Sequence, residues 1–163
     1  APPALDTHAR RTAGATPRGA IRPLLRHPDV VLALTTMVSG QFVMVLLMTM
    51  TPLHVRHEGH GLGAIGLVIS AHTLGMFALS PLTGRAGDRF GRRPLLAASV
   101  VVLVLAGVLG ALAGHSYPWL VVALLLLGLG WNLGFVGGSA LLTDAIPPAD
   151  RVRVQGLGDA LVW

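Results

Sequence analysis

Long apolar segments alternate with short polar ones along most of this chain. From Gly61 to Leu82, and again from Pro94 to Thr143, there is no Asp, Glu, Lys or Arg. About 20 apolar residues in a helix cross the roughly 30 Å hydrocarbon core of a bilayer. The pattern therefore predicts an all-α, polytopic transmembrane helical bundle. Complete spans are expected at about residues 30–53, 61–82, 94–114 and 118–143, with the start of a fifth at 156–163.

Composition supports this class and excludes others. Of the 163 residues, 53% are hydrophobic and only 12% are charged, whereas soluble domains contain about 25% charged residues. Cysteine is absent, so the sequence offers no disulfide framework and no thiol chemistry. The net charge of +5 comes from arginines in short interhelical segments, which do not form the continuous basic face typical of nucleic-acid binding. We therefore predict contact with a lipid bilayer and no nucleic-acid partner.

The arginines lie mostly on one side of the predicted bundle. If the spans alternate in direction, 11 of the 12 basic residues fall on one side and Arg56 alone on the other. Short cytoplasmic loops carry an excess of Lys and Arg, so the arginine-rich side is predicted to be cytoplasmic in a multi-pass protein of the cell membrane. Residues 1–29 then form a basic cytoplasmic linker, and residues 30–163 the transmembrane domain. Neither end of the sequence looks like a natural terminus, and we interpret the chain as part of a longer protein.

Polar residues within the spans indicate which helices face a protein interior. The third span has a single side-chain hydroxyl, Ser99, and is expected at the periphery, in contact with lipid. Polar groups facing lipid are costly, so the first, second and fourth spans should face a cavity or other helices. Methionines adapt to varied apolar ligands, and four residues of the first span share one helical face. The predicted cavity wall consists of Met37, Gln41, Met44 and Met48 on that face, with Trp131 and Asn132 on the fourth span; ordinary helix packing is the alternative.

Two residues are candidates for carrying a coupling proton. His72 is the one titratable residue in the middle of a complete span, and an imidazole titrates near neutral pH. Asp159 begins the fifth span, close to the arginine-rich side. The alternatives are a neutral histidine bonded across a helix interface and an aspartate that pairs at a helix end.

A group of histidines lies between the first and second spans. His54, His57 and His60, with Glu58 among them, offer nitrogen and oxygen ligands to a metal ion. A short exposed loop gives such ligands no supporting second layer, so we predict no metal site there, although the sequence leaves the question open. No nucleophile–base pair and no phosphate-binding loop occurs either, so we predict neither an enzyme nor a cofactor.

The densest group of charges joins the second and third spans. Burying unpaired charges is very costly, so this segment is predicted to be a tight loop at the membrane surface. Asp88 and Arg92 are four residues apart and can pair, and Gly91 permits a sharp turn. Asp144, at the end of the fourth span, can complete a charge network with Arg92 or Arg89. The segment has the sequence Gly84-x-x-x-Asp88-Arg89-x-Gly91-Arg92-Arg93.

This segment resembles the signature loop of the major facilitator superfamily of secondary transporters. That loop lies between the second and third helices of each six-helix half. The resemblance implies alternating access, in which two halves rock around a site at mid-membrane. It assigns a gating role, without substrate contact, to Gly84, Asp88, Arg89, Gly91, Arg92, Arg93 and Asp144.

The family pattern also indicates which half is present. The first half usually has an arginine within its fourth helix, and the fourth span here has none. The long basic segment before the first span resembles the linker between the halves. We therefore assign the chain to the second half, helices seven to ten and the start of eleven, which would need the N-terminal half for transport.

The resemblance leads to a functional prediction. We expect proton-coupled export of small amphipathic compounds, because the methionine face is apolar and intramembrane charge is scarce. The alternatives are an importer of a polar solute and a membrane-embedded sensor that keeps the fold without transport. A polytopic membrane enzyme is disfavoured, because no cluster of His, Asp or Glu lies at one depth.

Overall fold

The computed structural model describes residues 21–163, which form α-helices joined by short turns. The greater part of the predicted basic linker, residues 1–20, lies outside the described residues. The elements are α1 (Ile21–Leu25), α2 (Pro28–His57), α3 (Leu62–Phe77), α4 (Ser80–Phe90), α5 (Arg92–Leu112), α6 (Tyr117–Ala145) and α7 (Arg151–Val162).

Four helical stretches are long and apolar enough to cross a membrane. One of them combines α3 and α4, and the other three are α2, α5 and α6. The all-α transmembrane bundle with four complete spans is thereby confirmed. Three of the four stretches are longer than the predicted apolar runs, whereas α5 has 21 residues, the length predicted for it, and begins two residues earlier. We call the end of the bundle near residues 29, 92 and 144 the Arg-rich end, and the end near residues 54–61 and 113–117 the His-rich end.

The charged segment is not the loop that was predicted. Helix α4 continues through it to Phe90, and only Gly91 separates α4 from α5. Gly91 has a φ of +94°, in the region that favours glycine. A single residue therefore makes the turn, and the neighbouring charges lie on helices, where their spacing fixes which of them meet.

A break that the sequence analysis did not predict divides the second span. Helix α3 ends at Phe77 and α4 begins at Ser80. Pro81 lies in the first turn of α4, where its missing N–H cannot continue the hydrogen-bond ladder of α3. The part of the charged segment up to Phe90 is thus carried by a short helix of its own, whereas Arg92 and Arg93 lie on α5.

Helix α6 is the centre of the bundle and packs against α2, α3, α4, α5 and α7. Its glycines let neighbouring backbones come close. A Cβ on Gly128 would overlap the backbone carbonyl of His72, and one on Gly75 would overlap that of Leu125. Helices α3 and α6 therefore cross almost backbone to backbone.

Helix α5 covers another side of α6. Ser99 is fully buried and donates a hydrogen bond of 2.7 Å to the backbone oxygen of Gly130. The opposite face of α5 is apolar and exposed, as expected of a peripheral helix; its largest exposed side chains are Val100, Val101, Val104, Leu105, Val108 and Leu112.

Candidate functional site

Arg92 joins three helices at the Arg-rich end. Its Nη2 lies 2.7 Å from Oδ1 of Asp88 on α4, and its Nε lies 3.3 Å from Oδ2 of Asp144 on α6. The guanidinium side chain is 24% exposed, whereas the two carboxylate side chains are 69% and 59% exposed. A Cβ on Gly87 would lie 2.7 Å from Nη1 of Arg92, so the glycine makes room for the guanidinium. We call Arg92, Asp88 and Asp144 the Arg92 cluster.

The remaining signature residues lie apart from this cluster. Arg93 pairs with Asp29 at the start of α2, with 2.8 Å between Nη2 and Oδ1. The guanidinium of Arg89 lies 5.6 Å from the ring centroid of Phe90, and Arg89 forms no ion pair within residues 21–163. Gly84 has open space where a Cβ would lie. The structure thus brings Asp144 to Arg92, not to Arg89, and adds a link between α5 and α2.

A tryptophan lies halfway along α6, among other rings. The indole Nε1 of Trp131 donates a hydrogen bond of 2.8 Å to Oε1 of Gln41 on α2. Phe135 stacks on Trp131 with 4.8 Å between centroids and 8° between planes. Phe77 of α3 and Trp163, directly after α7, meet Trp131 edge-on at 6.5 Å and 6.3 Å. Gln41 and Trp131, predicted to lie in one wall, are therefore in contact at mid-depth.

The methionines of α2 do not share one environment. Met37 is only 2% exposed, and its side chain packs where Gly138 of α6 leaves space. Met44 is half-buried. Met48 packs against the apolar core of the His-rich half. Of the three, Met37 is a helix-packing residue, because α6 covers it.

Asn132 lies at the helix interface instead of an open cavity. It is 1% exposed. Its Nδ2 donates to the backbone oxygen of Met76 and to Oγ of Ser80, and its Oδ1 accepts a 2.6 Å hydrogen bond from Thr83. These partners lie on both sides of the α3–α4 break. Asn132 therefore fixes the break against α6, and its polar atoms are already occupied by protein groups.

His72 is buried between α3 and α6. It is 3% exposed, and Nδ1 lies 3.2 Å from the backbone oxygen of Leu124. The other ring nitrogen, Nε2, has no hydrogen-bond partner within the described residues. An unpartnered polar atom at this depth is unusual, and it sits beside the close crossing of the two helices.

Asp159 lies in an open groove between α6 and α7. Ser139 and Thr143 of α6 line this groove opposite Asp159 and Gln155. Gln155 donates a hydrogen bond of 2.9 Å from Nε2 to Oγ of Ser139. A second groove shares Ser139 and Thr143 and is also lined by Phe135, Arg92 and Asp144. Open space along α6 therefore lies beside both the Arg92 cluster and the rings at mid-depth.

The His-rich end carries an ion pair that the sequence analysis missed. Glu58, after α2, pairs with Nδ1 of His115, before α6. The hydrogen bond from His115 lowers the pKa of Glu58, and the same bond raises the pKa of His115. Nε2 of His54 lies 3.2 Å from the backbone oxygen of Gly114, and the ring of His60 lies 5.0 Å from that of Tyr117.

Through these contacts His54, His60 and His115 have different partners and do not share one site. Within residues 21–163, no three His, Asp or Glu side chains come together as a metal site would require. The signal that was available in the sequence is that Glu58 and His115 both lie in short segments between spans, on the side opposite the arginine-rich segments.

Fold and site together define a polytopic membrane protein whose helices are linked by charge clusters at one end. Residues 32–162 match the family model described as Major Facilitator Superfamily. The chain belongs to this superfamily of transporters. No solved structure gives a significant match.

The chain is similar to several curated transporters. It is 48% identical to the uncharacterized MFS-type transporter YdeG of Bacillus subtilis over 82% of this chain and 31% of that protein. It is 41% identical to the uncharacterized MFS-type transporter YddS of the same organism, over 86% and 32%. It is 35% identical to the riboflavin transporter RfnT of Brucella anthropi, over 87% and 36%. The chain thus spans about a third of the length of these relatives.

Proposed function

We propose that the whole protein is a secondary-active transporter of the cell membrane that exports small amphipathic compounds in exchange for protons by alternating access. The family and the named relatives support transport. The observation that carries the mechanism is the Arg92 cluster, which ties the ends of α4, α5 and α6 together. In this proposal the Arg-rich end is cytoplasmic, in keeping with the excess of arginine there.

The strength of the Arg92 cluster suits a gate that must open repeatedly. Exposed ion pairs contribute about 0.2–1 kcal/mol each, and both carboxylates are more than half exposed. Coupling between a ligand and a conformational state typically amounts to about 1–3 kcal/mol. Binding of a substrate is therefore sufficient to open the cluster, and closing it again costs little.

Two residues are proposed for the proton pathway. Asp159 lines the open groove between α6 and α7, where a proton has access to its carboxylate. The unpartnered Nε2 of His72 offers a second acceptor, which a movement between α3 and α6 would have to uncover. Ionisable groups within membrane proteins commonly mark proton relays.

The substrate class rests on the rings and on Gln41. An apolar surface with a single amide group suits a small amphipathic molecule. RfnT, named a riboflavin transporter, supports this class, because riboflavin joins a flat aromatic ring system with one apolar edge to a polar chain. The methionines contribute less than expected from the sequence, since Met37 is covered by α6.

Transport by the whole protein in proteoliposomes with an imposed pH gradient tests this proposal. Riboflavin serves as the probe, and collapse of the gradient by an ionophore serves as the control. We expect movement of riboflavin against the direction of proton flow, and its loss in Asp159→Asn or His72→Gln. Co-transport with protons would instead indicate an importer, and binding without movement would indicate a sensor. Undiminished coupling in both variants would remove these two residues from the pathway.

A further inference from the structure

Four rings from three parts of the chain form an aromatic cluster, defined here as Phe77, Trp131, Phe135 and Trp163. Trp131 at the centre is 5% exposed, whereas Phe77 is 60% exposed. Both outer rings are steeply inclined to the indole, by 67° and 64°. Neither ring is stacked on Trp131, and more than half of Phe77 is uncovered among the described residues. Ring faces are the surfaces on which another flat ring stacks.

A hydrogen-bonding group adjoins this cluster. The indole N–H of Trp131 can only donate, so the amide of Gln41 must present its oxygen to it. That orientation leaves both N–H groups of the Gln41 amide without a partner among the described residues. Gln41 is half-buried, and its amide nitrogen is not among the buried atoms left without a partner, so it is accessible to a ligand. The side chain therefore offers a fixed donor pair for an acceptor of suitable shape.

The two features together select one ligand chemistry. Exposed ring faces alone would also attract a cation, but free N–H donors beside them disfavour a positive charge and favour an acceptor. An aliphatic amphipathic molecule would gain apolar contact but no stacking. We infer that the aromatic cluster and Gln41 bind planar aromatic compounds that carry a hydrogen-bond acceptor at the ring edge. This inference rests on the proposed transport function, of which it specifies the substrate class.

Equilibrium binding to the whole protein in lipid nanodiscs tests the inference apart from transport. Riboflavin and its bare ring system lumichrome are the probes, and ribitol, which is the chain without the rings, is the control. Ring fluorescence reports binding of the first two, and competition with riboflavin reports binding of the third. We expect riboflavin and lumichrome to bind with similar Kd and ribitol not to compete. Competition by ribitol, or no binding of either ring compound to folded protein, overturns the inference.

Three substitutions locate the site. Phe77→Leu and Trp163→Leu should each raise the Kd for lumichrome about three- to tenfold, the range expected for loss of one stacked pair. Gln41→Leu should raise it about tenfold, since an acceptor on the ligand loses its donors. Phe42→Leu is the matched control, because Phe42 is a 69% exposed ring on the same helix outside the cluster.

The outcomes distinguish this site from the proposed function. Phe77 is largely exposed, so Phe77→Leu should retain the native melting temperature, and thermal unfolding checks this for all three variants. Unchanged Kd in all three variants, or an equal effect of Phe42→Leu, overturns the site and leaves transport intact. If the ring compounds bind and the substitutions weaken that binding, but riboflavin does not move across the proteoliposome membrane, the site is supported and the proposed transport is overturned.

Discussion

The two ends of the bundle are joined by different chemistry. At the Arg-rich end, guanidinium groups meet aspartates, as Arg92 does with Asp88 and Asp144 and Arg93 with Asp29. At the His-rich end, the imidazole of His115 meets Glu58. A guanidinium stays charged at any physiological pH, whereas an imidazole gains or loses its charge within that range. One end is therefore held by permanent charges and the other by a pair that responds to protons.

The middle of the bundle differs from both ends, because its cross-helix contacts are uncharged. Asn132, Gln41 and Ser99 provide hydrogen bonds between helices. Such bonds keep the register of the helices without the cost of buried charge. The contrast between the ends depends on this middle layer, since Asn132 holds α4, which carries Asp88, against α6.

The largest effect is expected from Asn132→Leu, because the contrast between the two ends of the bundle depends on the contact that Asn132 makes between α4 and α6. The change removes three hydrogen bonds to the α3–α4 break. Cross-helix hydrogen bonds in membranes are each worth about 0.6 kcal/mol, and buried groups left unpaired add to the loss, so we expect about 2 kcal/mol lower stability. Thermal or denaturant unfolding of the whole protein in micelles measures it. Thr83→Val, which removes one of the bonds, should cost less than half as much; an equal cost would contradict the network.

The next effect is expected at the Arg92 cluster. Arg92→Gln removes both ion pairs and should lower stability by about 1 kcal/mol, the sum expected for two exposed pairs. The same free energy shifts a conformational equilibrium about fivefold, so transport should fall by about that factor. Flux in proteoliposomes measures it. Arg85→Gln is the control, because among the described residues Arg85 bonds only to the backbone oxygen of Pro81 on its own helix; a similar loss there would show a general charge effect.

A smaller effect should follow when α2 is released from α5. Asp29→Asn weakens the pair with Arg93 and should cost about 0.5 kcal/mol, because Arg93 is 65% exposed. High salt should diminish the difference, since exposed charges are screened. Unfolding at low and high ionic strength measures this. A difference that did not depend on salt would argue against an ionic contact.

The smallest effect is expected at the His-rich end, and only there should it depend on pH. The raised pKa of His115 means that its contribution is fully present below the ordinary value of about 6.5 and is lost as pH rises through the raised value. The lowered pKa of Glu58 means that its contribution is present above about 4.3 and is lost as pH falls through the lowered value. The pair therefore stabilises most between these limits.

His115→Gln tests this window. The melting temperatures of native protein and variant should differ most between about pH 4.5 and 6.5 and converge at alkaline pH. His54 and His57 also act on Glu58 by charge, so His57→Gln is the matched control and should shift the profile little. A pH-independent difference in His115→Gln would show that the contact is not ionic.

Local spacing was sufficient to predict several of these features. Four residues along a helix place side chains on one face, so the pairing of Asp88 with Arg92 follows from their positions alone. The apolar runs predicted four spans because length and composition decide that question. Asp144 follows the fourth span, so it could be placed at the same end of the bundle as Asp88 and Arg92. Whether it pairs with Arg92 or with Arg89 depends on how α4 is rotated.

Contacts between distant helices could not be predicted in this way. Whether Asn132 faces a cavity or a helix interface depends on the rotation of α6, which a single polar residue does not specify. The α3–α4 break has a local signal in Pro81, but prolines are tolerated within membrane helices. Met37 is likewise buried because Gly138 leaves space for its side chain, and Gly138 lies 101 residues further along the chain.

The close crossing of α3 and α6 also bears on how such a transporter can diversify. A side chain at Gly75 or Gly128 would overlap the opposite backbone, so even alanine should be rejected there in every descendant lineage. Gly63 and Gly66 lie on α3 as well, yet a Cβ at either would meet nothing within 4 Å. Random mutagenesis followed by growth selection should therefore leave the first pair invariant and the second pair variable. Under the proposed function, new substrate ranges would then arise by substitutions away from this crossing, while Gly75 and Gly128 are inherited unchanged.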